Sequence, residues 1–385
     1  MFFRALPVIA CLLTGPVSAS AADADPPDVV AGLIDALGSN SYQRREAAGQ
    51  KIAEVGEPAL PALRAAAKNN DDAEIRYRAQ RLVDLITSNA CQSKSTGLRL
   101  VIIEAGEFTM GSPEAEADRR DDERQHTVRI KQTFLIGTRE VTQAQYQQVI
   151  GRNPSWFSHH GEGKDKIGDK PTGRFPVESV TWFDALEFCN RLSKLDGLAP
   201  YYRLEAIERH EGKITGADVK VLGGTGYRLP TEAEWEFASR AGSGGPYHAV
   251  EGKATMRGNF QYRRAVLYGA STKIGGLGRT VEVGSYAPNL SGLHDTHGNV
   301  AEWCWDWYGK DYYSDSPEVD PRGPQTGNHR VVRGGSWLVK QSSCRCATRF
   351  WQVPSEGKYY VGFRVARDAS EYLTPGQPAP DDKAN

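Results

Sequence analysis

The chain has 385 residues and a formal net charge of -1, and charged residues make up 25% of it. Its 8 Trp, 16 Tyr and 12 Phe supply enough apolar surface to exclude a chain that is disordered throughout. The near-zero net charge argues against a nucleic-acid-binding protein, because such proteins rely on a basic surface.

The N-terminus has the pattern of a secretory signal peptide over residues 1–21. Arg4 supplies a positive charge, Ala5–Leu13 form a short apolar stretch, and Ala19–Ala21 fit a small-x-small cleavage site. The stretch is too short to span a membrane as a helix, and no later run qualifies as a membrane span. We therefore expect export to the periplasm or the extracellular space. Cleavage would leave five of the six cysteines, an odd number in an oxidising compartment.

Residues 28–88 predict a small all-α domain of four helices. The first contains Val29 to Leu37 and ends at Gly38, and Pro58 can open the third. The run from Arg44 to Leu63 resembles a HEAT-type helical repeat, of which about one and a half copies are present. So short an array favours a helical cap or spacer over a docking surface for a partner. Residues 89–97 are small and polar and predict a linker.

From Leu98 onward the pattern changes to short strands separated by many turns. The predicted strands are 100–103, 127–130 and 134–137. Three helices are expected to begin after Thr142, Thr181 and Thr231, whose hydroxyls suit the N-cap position. Glu234 lies three residues beyond Thr231 and completes a capping box.

Seven motifs follow in a fixed order over residues 98–368. They are Gly106-Glu107-Phe108-x-Met110-Gly111-Ser112, Arg139-Glu140-Val141-Thr142, Pro176-Val177-x-x-Val180-x-Trp182, Tyr227-Arg228-Leu229-Pro230-Thr231-Glu232-Ala233-Glu234-Trp235-Glu236, Gly298-Asn299-Val300-x-Glu302-Trp303, Arg333-Gly334-Gly335-Ser336-Trp337 and Gly362-Phe363-Arg364. Together they resemble the formylglycine-generating enzyme family, also called sulfatase-modifying factor. The resemblance implies an α+β fold: an irregular, mixed domain related to C-type lectins, preceded here by the all-α segment. Residues 369–385 are expected to form a disordered tail.

The resemblance also implies a copper-dependent oxidation, and this chain differs from the family at one of the copper ligands. Members with the founding activity use Cu⁺, held by two cysteines, to oxidise a cysteine in a sulfatase C-x-P-x-R motif to formylglycine. Soft thiolates suit Cu⁺. Val339 occupies the position of the first copper cysteine, and valine cannot bind a metal. Cys344 matches the second. Cys344 and Cys346 form a C-x-C pair that on a strand would face one side and could chelate copper, while burial or disulfide pairing is the commoner fate of such thiols.

The family's substrate cleft has counterparts here that are partly changed. Ser336 and Arg349 are retained and, with Cys344, are the candidate catalytic residues. Trp337, Arg349 and Tyr360 are the candidate cleft residues, and Tyr360 replaces an asparagine of the enzyme. Arg349 can meet a substrate carboxylate or form an ion pair that caps the core.

A calcium site is the other implication of the resemblance. Asp295, Gly298, Val300 and Glu302 match a family site, and two carboxylates around a glycine turn suit hard Ca²⁺. The alternative is a turn whose carboxylates bond to backbone amides. A second family site matches at Asn259 and Phe260 but carries Gly275 in place of an aspartate.

Three further expectations concern side-chain environments. His294 and His297 are expected to be solvated rather than to bind a transition metal. Cys304 and Cys344 are a hypothetical disulfide pair. Ser239 and Val365 stand where some eukaryotic members have paired cysteines.

Three functional hypotheses remain. We favour an exported family member that lacks the first copper cysteine and is either a calcium-stabilised domain recognising a peptide, protein or glycan, or a divergent enzyme. A sulfatase or another exported protein or peptide is its expected partner. The alternatives are an active copper oxidase using Cys344 and Cys346, and a pure interaction protein. Copper stoichiometry separates the oxidase from the other two.

Overall fold

The chain divides into two compact units, Met1–Ile86 and Thr87–Asn385. The computed structural model describes residues 26–55, 59–250, 253–254, 258 and 277–369. The predicted signal peptide, the tail beyond Ala369, and the helix start at Pro58 lie outside the described residues. So do Asn259, Phe260 and Gly275 of the second calcium site.

The first unit is helical, as predicted. Its helices are α1 Pro26–Ala36, α2 Tyr42–Val55, α3 Leu60–Asn69 and α4 Ala73–Ala90. Their apolar faces meet in one core that includes Val30, Ile34, Ile52, Leu63 and Ala79. This burial offsets the weak intrinsic stability of such short helices. The HEAT-like repeat stays a prediction.

The segment expected to be a linker is instead folded into structure. Helix α4 continues to Ala90, and Cys91 and Ser93 are buried. Ser93 N donates to Leu98 O at 2.8 Å, and Leu100 N donates to Cys91 O at 2.7 Å. Polar composition alone did not reveal this, because the backbone groups of the segment find partners on its own downstream strand.

The second unit is a mixed α+β domain of small sheets, as the sequence predicts. Its strands are β1 Leu100–Ile103, β2 Gly106–Met110, β3 His126–Ile130, β4 Phe134–Gly137, β5 Tyr202–His210, β6 Lys213–Val221, β7 Ala249–Val250, β8 Lys253–Ala254, β9 Ala301–Trp307, β10 Arg330–Arg333, β11 Phe350–Gln352, β12 Val361–Gly362 and β13 Ala366–Asp368. One sheet has the order β1-β4-β13 and another β11-β10-β9-β12. The remaining pairs are β2-β3, β5-β6 and β7-β8.

The helices of this unit begin where the capping signals place them. They are α5 Gln143–Ile150, α6 Trp182–Leu195, α7 Glu232–Arg240 and α8 Tyr312–Asp315. Thr142, Thr181 and Thr231 each cap a helix and complete a capping box. None of the helices in the described part of the chain combines the length and apolar character needed to cross a bilayer.

The main core packs aromatic side chains from helices and strands. Tyr146, Trp182, Phe188, Trp303 and Phe363 are fully or almost fully buried in it. Tyr146 stacks on Phe188 with ring centroids 5.6 Å apart, and Phe363 meets both rings edge-on. This aromatic core therefore supports the chain segments that carry the sequence motifs.

Candidate functional site

Two turns rich in glycine meet at the candidate site. Gly298 N donates to Gly334 O at 2.9 Å, and Trp337 N donates to Asn299 O at 2.9 Å. Gly334 and Gly335 have φ of 86° and 68°, a left-handed conformation that favours glycine. The turns thus hold the predicted calcium residues beside the residues of the predicted copper site.

A cluster of buried carboxylates lies under the first turn. Glu302 accepts two hydrogen bonds of 2.5 Å from the Arg364 guanidinium and one of 2.8 Å from Trp235 Nε1. Asp295 accepts from Gly284 N at 2.5 Å, while its Oδ1 is buried without a hydrogen-bond partner. The sequence reading missed a third member, Glu140.

Glu140 is held in the cluster by the turn itself. Its oxygens accept from Asn299 Nδ2 at 2.8 Å and from Val300 N at 3.2 Å. Burial, and then the charges of Asp295 and Glu302, raise its pKa well above the ordinary value. Burial also raises the pKa of Asp295 to about 6. Three carboxylates therefore share the charge of Arg364, and Arg139 also acts on Asp295, so the cluster keeps an excess of negative charge that favours an added cation or bound protons.

The Cys344 thiol lies deep in the second turn. Cys344 is the last residue of a short 3-10 helix, Gln341–Cys344, and its Sγ donates to Lys340 O at 3.6 Å. Burial raises the pKa of this thiol to about 12. Val339 fills the adjacent space, since a Cβ added to Gly335 would lie 2.6 Å from Cys344 Sγ and 3.1 Å from Val339 Cγ2. An apolar methyl group therefore stands where the family resemblance requires the first copper ligand.

The expectation that Cys344 and Cys346 share one side of a strand is wrong. The segment is a 3-10 helix that ends at Cys344 and is followed by a turn. Cys346 Sγ accepts from Ser239 Oγ on α7 at 3.9 Å, and burial raises its pKa to about 11. The two thiols have separate environments, and both favour the protonated form.

The hypothetical disulfide between Cys304 and Cys344 is also wrong. Both cysteines are free thiols. Cys304 lies on β9, where its Sγ contacts Glu302 O at 3.9 Å, and it packs with Trp235 and Val331. Strand β9 fixes the direction in which the Cys304 side chain points. The spacing of Cys304 and Cys344 in the sequence does not predict that direction.

His297 is buried, contrary to the expectation that it is solvated. Its Nδ1 lies 2.7 Å from Cys344 O, and its ring stacks on His248 with centroids 4.4 Å apart. His248 N donates to His297 Nε2 at 3.1 Å. Burial lowers the pKa of His248 to about 4 and that of His297 to about 3. The pair is neutral near pH 7 and braces the turn that carries Cys344.

Arg349 forms the core ion pair that was one of its two alternatives. Its Nε and Nη2 donate to Glu232 at 2.8 and 2.9 Å. The guanidinium also packs 3.9 Å from the ring centre of Tyr313. Arg349 is 1% exposed, so its charge is committed inside the protein rather than presented to a substrate.

The other cleft candidates belong to an aromatic cluster. Trp337 and Tyr360 both contact Tyr359, with ring centroids 5.9 and 5.4 Å apart. Trp156 adds a third contact to Tyr359 at 5.4 Å, and Lys166 Nζ lies 5.8 Å from the Trp337 ring centre. The Trp337 indole Nε1 is buried without a hydrogen-bond partner. An unsatisfied donor in an aromatic wall suits a ligand that brings an acceptor.

Ser336 precedes Trp337 of the aromatic cluster and makes its contacts within its own turn. It is 1% exposed, and its Oγ accepts from Leu338 N at 3.3 Å. Its backbone amide donates to the Cys344 thiol, which partly offsets the effect of burial on that pKa. Ser336 therefore shapes the turn between Trp337 and Cys344.

The environment of Cys344 predicts resistance to alkylation. With a thiol pKa of about 12, only about one molecule in ten thousand carries the thiolate at pH 8. We expect iodoacetamide to leave Cys344 unlabelled in the native protein at pH 8 and to label it in denaturant. Peptide mass spectrometry measures both states. Rapid labelling of the native protein would contradict the buried, protonated thiol.

Comparison with known proteins gives a consistent result. Residues 87–369 match the sulfatase-modifying factor enzyme 1-like domain family, which is well over half of the chain. The formylglycine-generating enzyme of Streptomyces coelicolor is 45% identical over 161 residues, covering 40% of this chain and 50% of the relative. The serine/threonine-protein kinase pkn1 of Chlamydia pneumoniae is 31% identical over 285 residues, covering 70% of this chain and 38% of the relative.

Solved structures support the same fold. Treponema denticola variable protein 1 superposes with a TM-score of 0.57 and 30% identity, covering 72% of this chain and 97% of that chain. Against the two sequence relatives, by contrast, the chain spans only half or less of their length. The shared part is the domain that carries the two turns described above.

Proposed function

The chain belongs to the sulfatase-modifying factor enzyme 1-like family, and on this premise we propose that it is an exported recognition protein without copper oxidase activity. It binds a peptide segment of an exported partner, such as a sulfatase, at the aromatic cluster. A calcium ion stabilises the turn beside that cluster. The N-terminal signal pattern supports export, and a mature protein beginning directly after Ala21 would test it.

The environment of Cys344 carries the proposal. A Cu⁺ centre of the kind implied by the resemblance needs two accessible thiolates close together. Here Val339 stands in for one thiol, and burial keeps the other protonated and bonded to Lys340 O. Cys346 cannot replace it without leaving Ser239 and the base of α7. These residues do not fit a copper pair.

The aromatic cluster supports the binding role. Trp156, Trp337, Tyr359 and Tyr360 form a continuous series of ring contacts. Aromatic side chains supply large contact areas at low entropic cost, which is why they are frequent in binding sites. The Trp337 Nε1 donor is buried and unpaired and would bond to a peptide carbonyl that displaces the side chains covering it, and Lys166 at the edge favours an acidic neighbour. Both features favour an extended acidic peptide as ligand.

A binding experiment with matched variants tests this role. Acidic peptides with a fluorescent label are titrated into the full chain and followed by anisotropy. Trp337→Phe removes the indole donor and is expected to weaken binding about tenfold. Trp351→Phe is the control, since Trp351 is half-exposed and packs on His329 and Tyr308 instead. Equal affinity of both variants, or binding to a glycan array in place of peptides, would contradict the peptide role.

Calcium removal provides a separate prediction. Asp295 would supply a carboxylate oxygen, Gly298 and Val300 carbonyl oxygens, and Glu302 an oxygen that it shares with Arg364 and Trp235, and such oxygens are the ligands that hard Ca²⁺ prefers. The unpartnered Asp295 Oδ1 fits this use. We expect chelation with EGTA to lower the melting temperature and Ca²⁺ to restore it. In Asp295→Asn the restoration should weaken. A melting temperature that is the same with EGTA and Ca²⁺ would show that the carboxylate cluster works without an ion.

A further inference from the structure

The large unit also has a cavity that shares no lining residue with the aromatic cluster. Its volume is about 410 Å³. Its walls come from the ends of β1 and β4, the start of α5, residues 173–174 and Val283. This volume falls within the range of small-molecule sites, which is about 300–1,000 Å³.

Three arginines from distant parts of the chain line the cavity. Arg99 precedes β1 and Arg139 follows β4, and Thr138 N donates to Arg99 O at 2.9 Å, which brings these two segments together. Arg174 comes from a separate segment. Its carbonyl accepts from Val283 N at 2.9 Å, and Ala144 N donates to Gly173 O at 3.0 Å. These backbone contacts hold the three segments beside the cavity.

The positive charge of the cavity is poorly compensated. Among the residues that the structure describes, Arg99 and Arg139 have no carboxylate oxygen within 4.0 Å, and Arg139 Nε is buried without a hydrogen-bond partner. Arg174 pairs at 3.2 Å with Glu282, which is about half exposed. Glu140 also lines the cavity, but its oxygens are bonded to Asn299 and Val300. Within the described part of the chain, Arg99 and Arg139 are thus held near a third arginine without an ion-paired carboxylate of their own, and the negative charge that acts on Arg139 is that of Asp295.

The position of Arg139 depends on the absence of a side chain at residue 284. Gly284 has φ of 78°, and a Cβ at this residue would lie 2.5 Å from Arg139 Nε. Gly284 N is held by Asp295 Oδ2 at 2.5 Å, so the backbone cannot easily move away. The guanidinium is therefore kept half-buried at the cavity. Burial and the neighbouring Arg174 lower the pKa of Arg139, which is consistent with a charge that lacks a close partner.

We propose that this cavity binds the phosphate or sulfate ester group of a small organic molecule, with Arg99, Arg139 and Arg174 as its ligands. Guanidinium groups donate planar pairs of hydrogen bonds to oxyanions. A tetrahedral oxyanion presents three or more oxygens in several directions and can accept from several guanidinium groups at once, whereas a planar carboxylate presents only two oxygens. The remaining volume accommodates the organic part of the ester.

Calorimetric titration of the full chain tests the proposal. The probes are phenyl phosphate, phenyl sulfate, inorganic phosphate and acetate, each at the same ionic strength. We expect saturable binding of one ester per chain that is tighter than that of inorganic phosphate, and no saturable binding of acetate. Arg139→Gln should weaken ester binding about tenfold or more. Arg203→Gln, which changes an exposed arginine on β5, should leave it unaltered.

The outcomes separate the alternatives. A preference for the phosphate or the sulfate ester identifies which ester the cavity takes, and either supports the proposal. Equal binding of acetate, unaltered ester binding in Arg139→Gln, or no saturable binding of any ester would overturn it. If Arg139→Gln fails to fold, Arg99→Gln provides the same comparison, because Arg99 is exposed. Peptide binding at the aromatic cluster is measured separately, so failure of one proposal leaves the other testable.

Discussion

Arg364→Met is expected to lower the free energy of unfolding by about 3–5 kcal/mol, the cost of leaving a buried charge without its partner. Arg364 is fully buried and donates to both oxygens of Glu302. It is also the guanidinium that faces Asp295 and Glu140. Methionine keeps much of the volume but none of the charge, so Glu302 would lose its hydrogen-bonded cation and the cluster most of its positive compensation. Urea unfolding followed by tryptophan fluorescence measures the loss.

The comparison variant is Arg129→Met, in which an exposed arginine loses its pairs with Glu107 and Glu318. Solvent screens such pairs, so the urea midpoint should not change measurably. If Ca²⁺ occupies the turn, the loss in Arg364→Met should be larger in EGTA than in Ca²⁺, because the ion supplies the missing positive charge. A midpoint for Arg364→Met equal to that of the unmodified protein would contradict this account of the cluster.

Gly335→Ala is expected to cost about 2–4 kcal/mol, combining the left-handed backbone with overpacking. Its φ is 68°, and the added Cβ would lie 2.6 Å from Cys344 Sγ and 2.9 Å from Ser343 O. The backbone oxygen belongs to the 3-10 helix and cannot turn aside as a flexible side chain could. The variant therefore displaces the turn that holds Cys344, and the melting temperature and urea midpoint should both fall.

Gly223→Ala is the matched control for the backbone contribution. Gly223 has φ of 76°, but a Cβ there meets no atom within 4 Å. Its cost should be limited to the left-handed conformation, about 1–2 kcal/mol. Combining Gly335→Ala with Cys344→Ala should restore part of the stability that Gly335→Ala loses, because the contact between the added Cβ and the thiol is gone. Equal losses of stability in Gly335→Ala and Gly223→Ala would show that Cys344 does not pack against Gly335.

Features encoded by neighbouring residues were predictable from the sequence. Thr142, Thr181 and Thr231 each begin a helix, because an N-cap hydroxyl and the residue three positions later act within one turn. The strand at Leu100–Ile103 follows from its continuous apolar run. The ordered motifs identified the domain and placed its glycine turns.

The convergence of side chains from distant segments was not predictable in the same way. Glu140 reaches Asn299 across 159 positions, and nothing near Glu140 in the sequence indicates this contact. His297 looked solvated beside its polar turn, but His248 and Cys344 O enclose it. The C-x-C spacing suggested a chelating pair, yet the segment is not a strand, and the two thiols contact Lys340 O and Ser239 Oγ separately. Tertiary packing decides such contacts, so local patterns leave them open.

We propose that this chain keeps the family fold without the copper chemistry, and one assay tests this directly. The purified mature protein is loaded with Cu⁺ under reductant and mixed in air with a C-x-P-x-R peptide, and the peptide and bound copper are both measured by mass spectrometry. We predict an unchanged peptide thiol and no stoichiometric copper. Conversion of the thiol to the formylglycine aldehyde, lost in Cys344→Ala, would contradict the account and make the protein an oxidase.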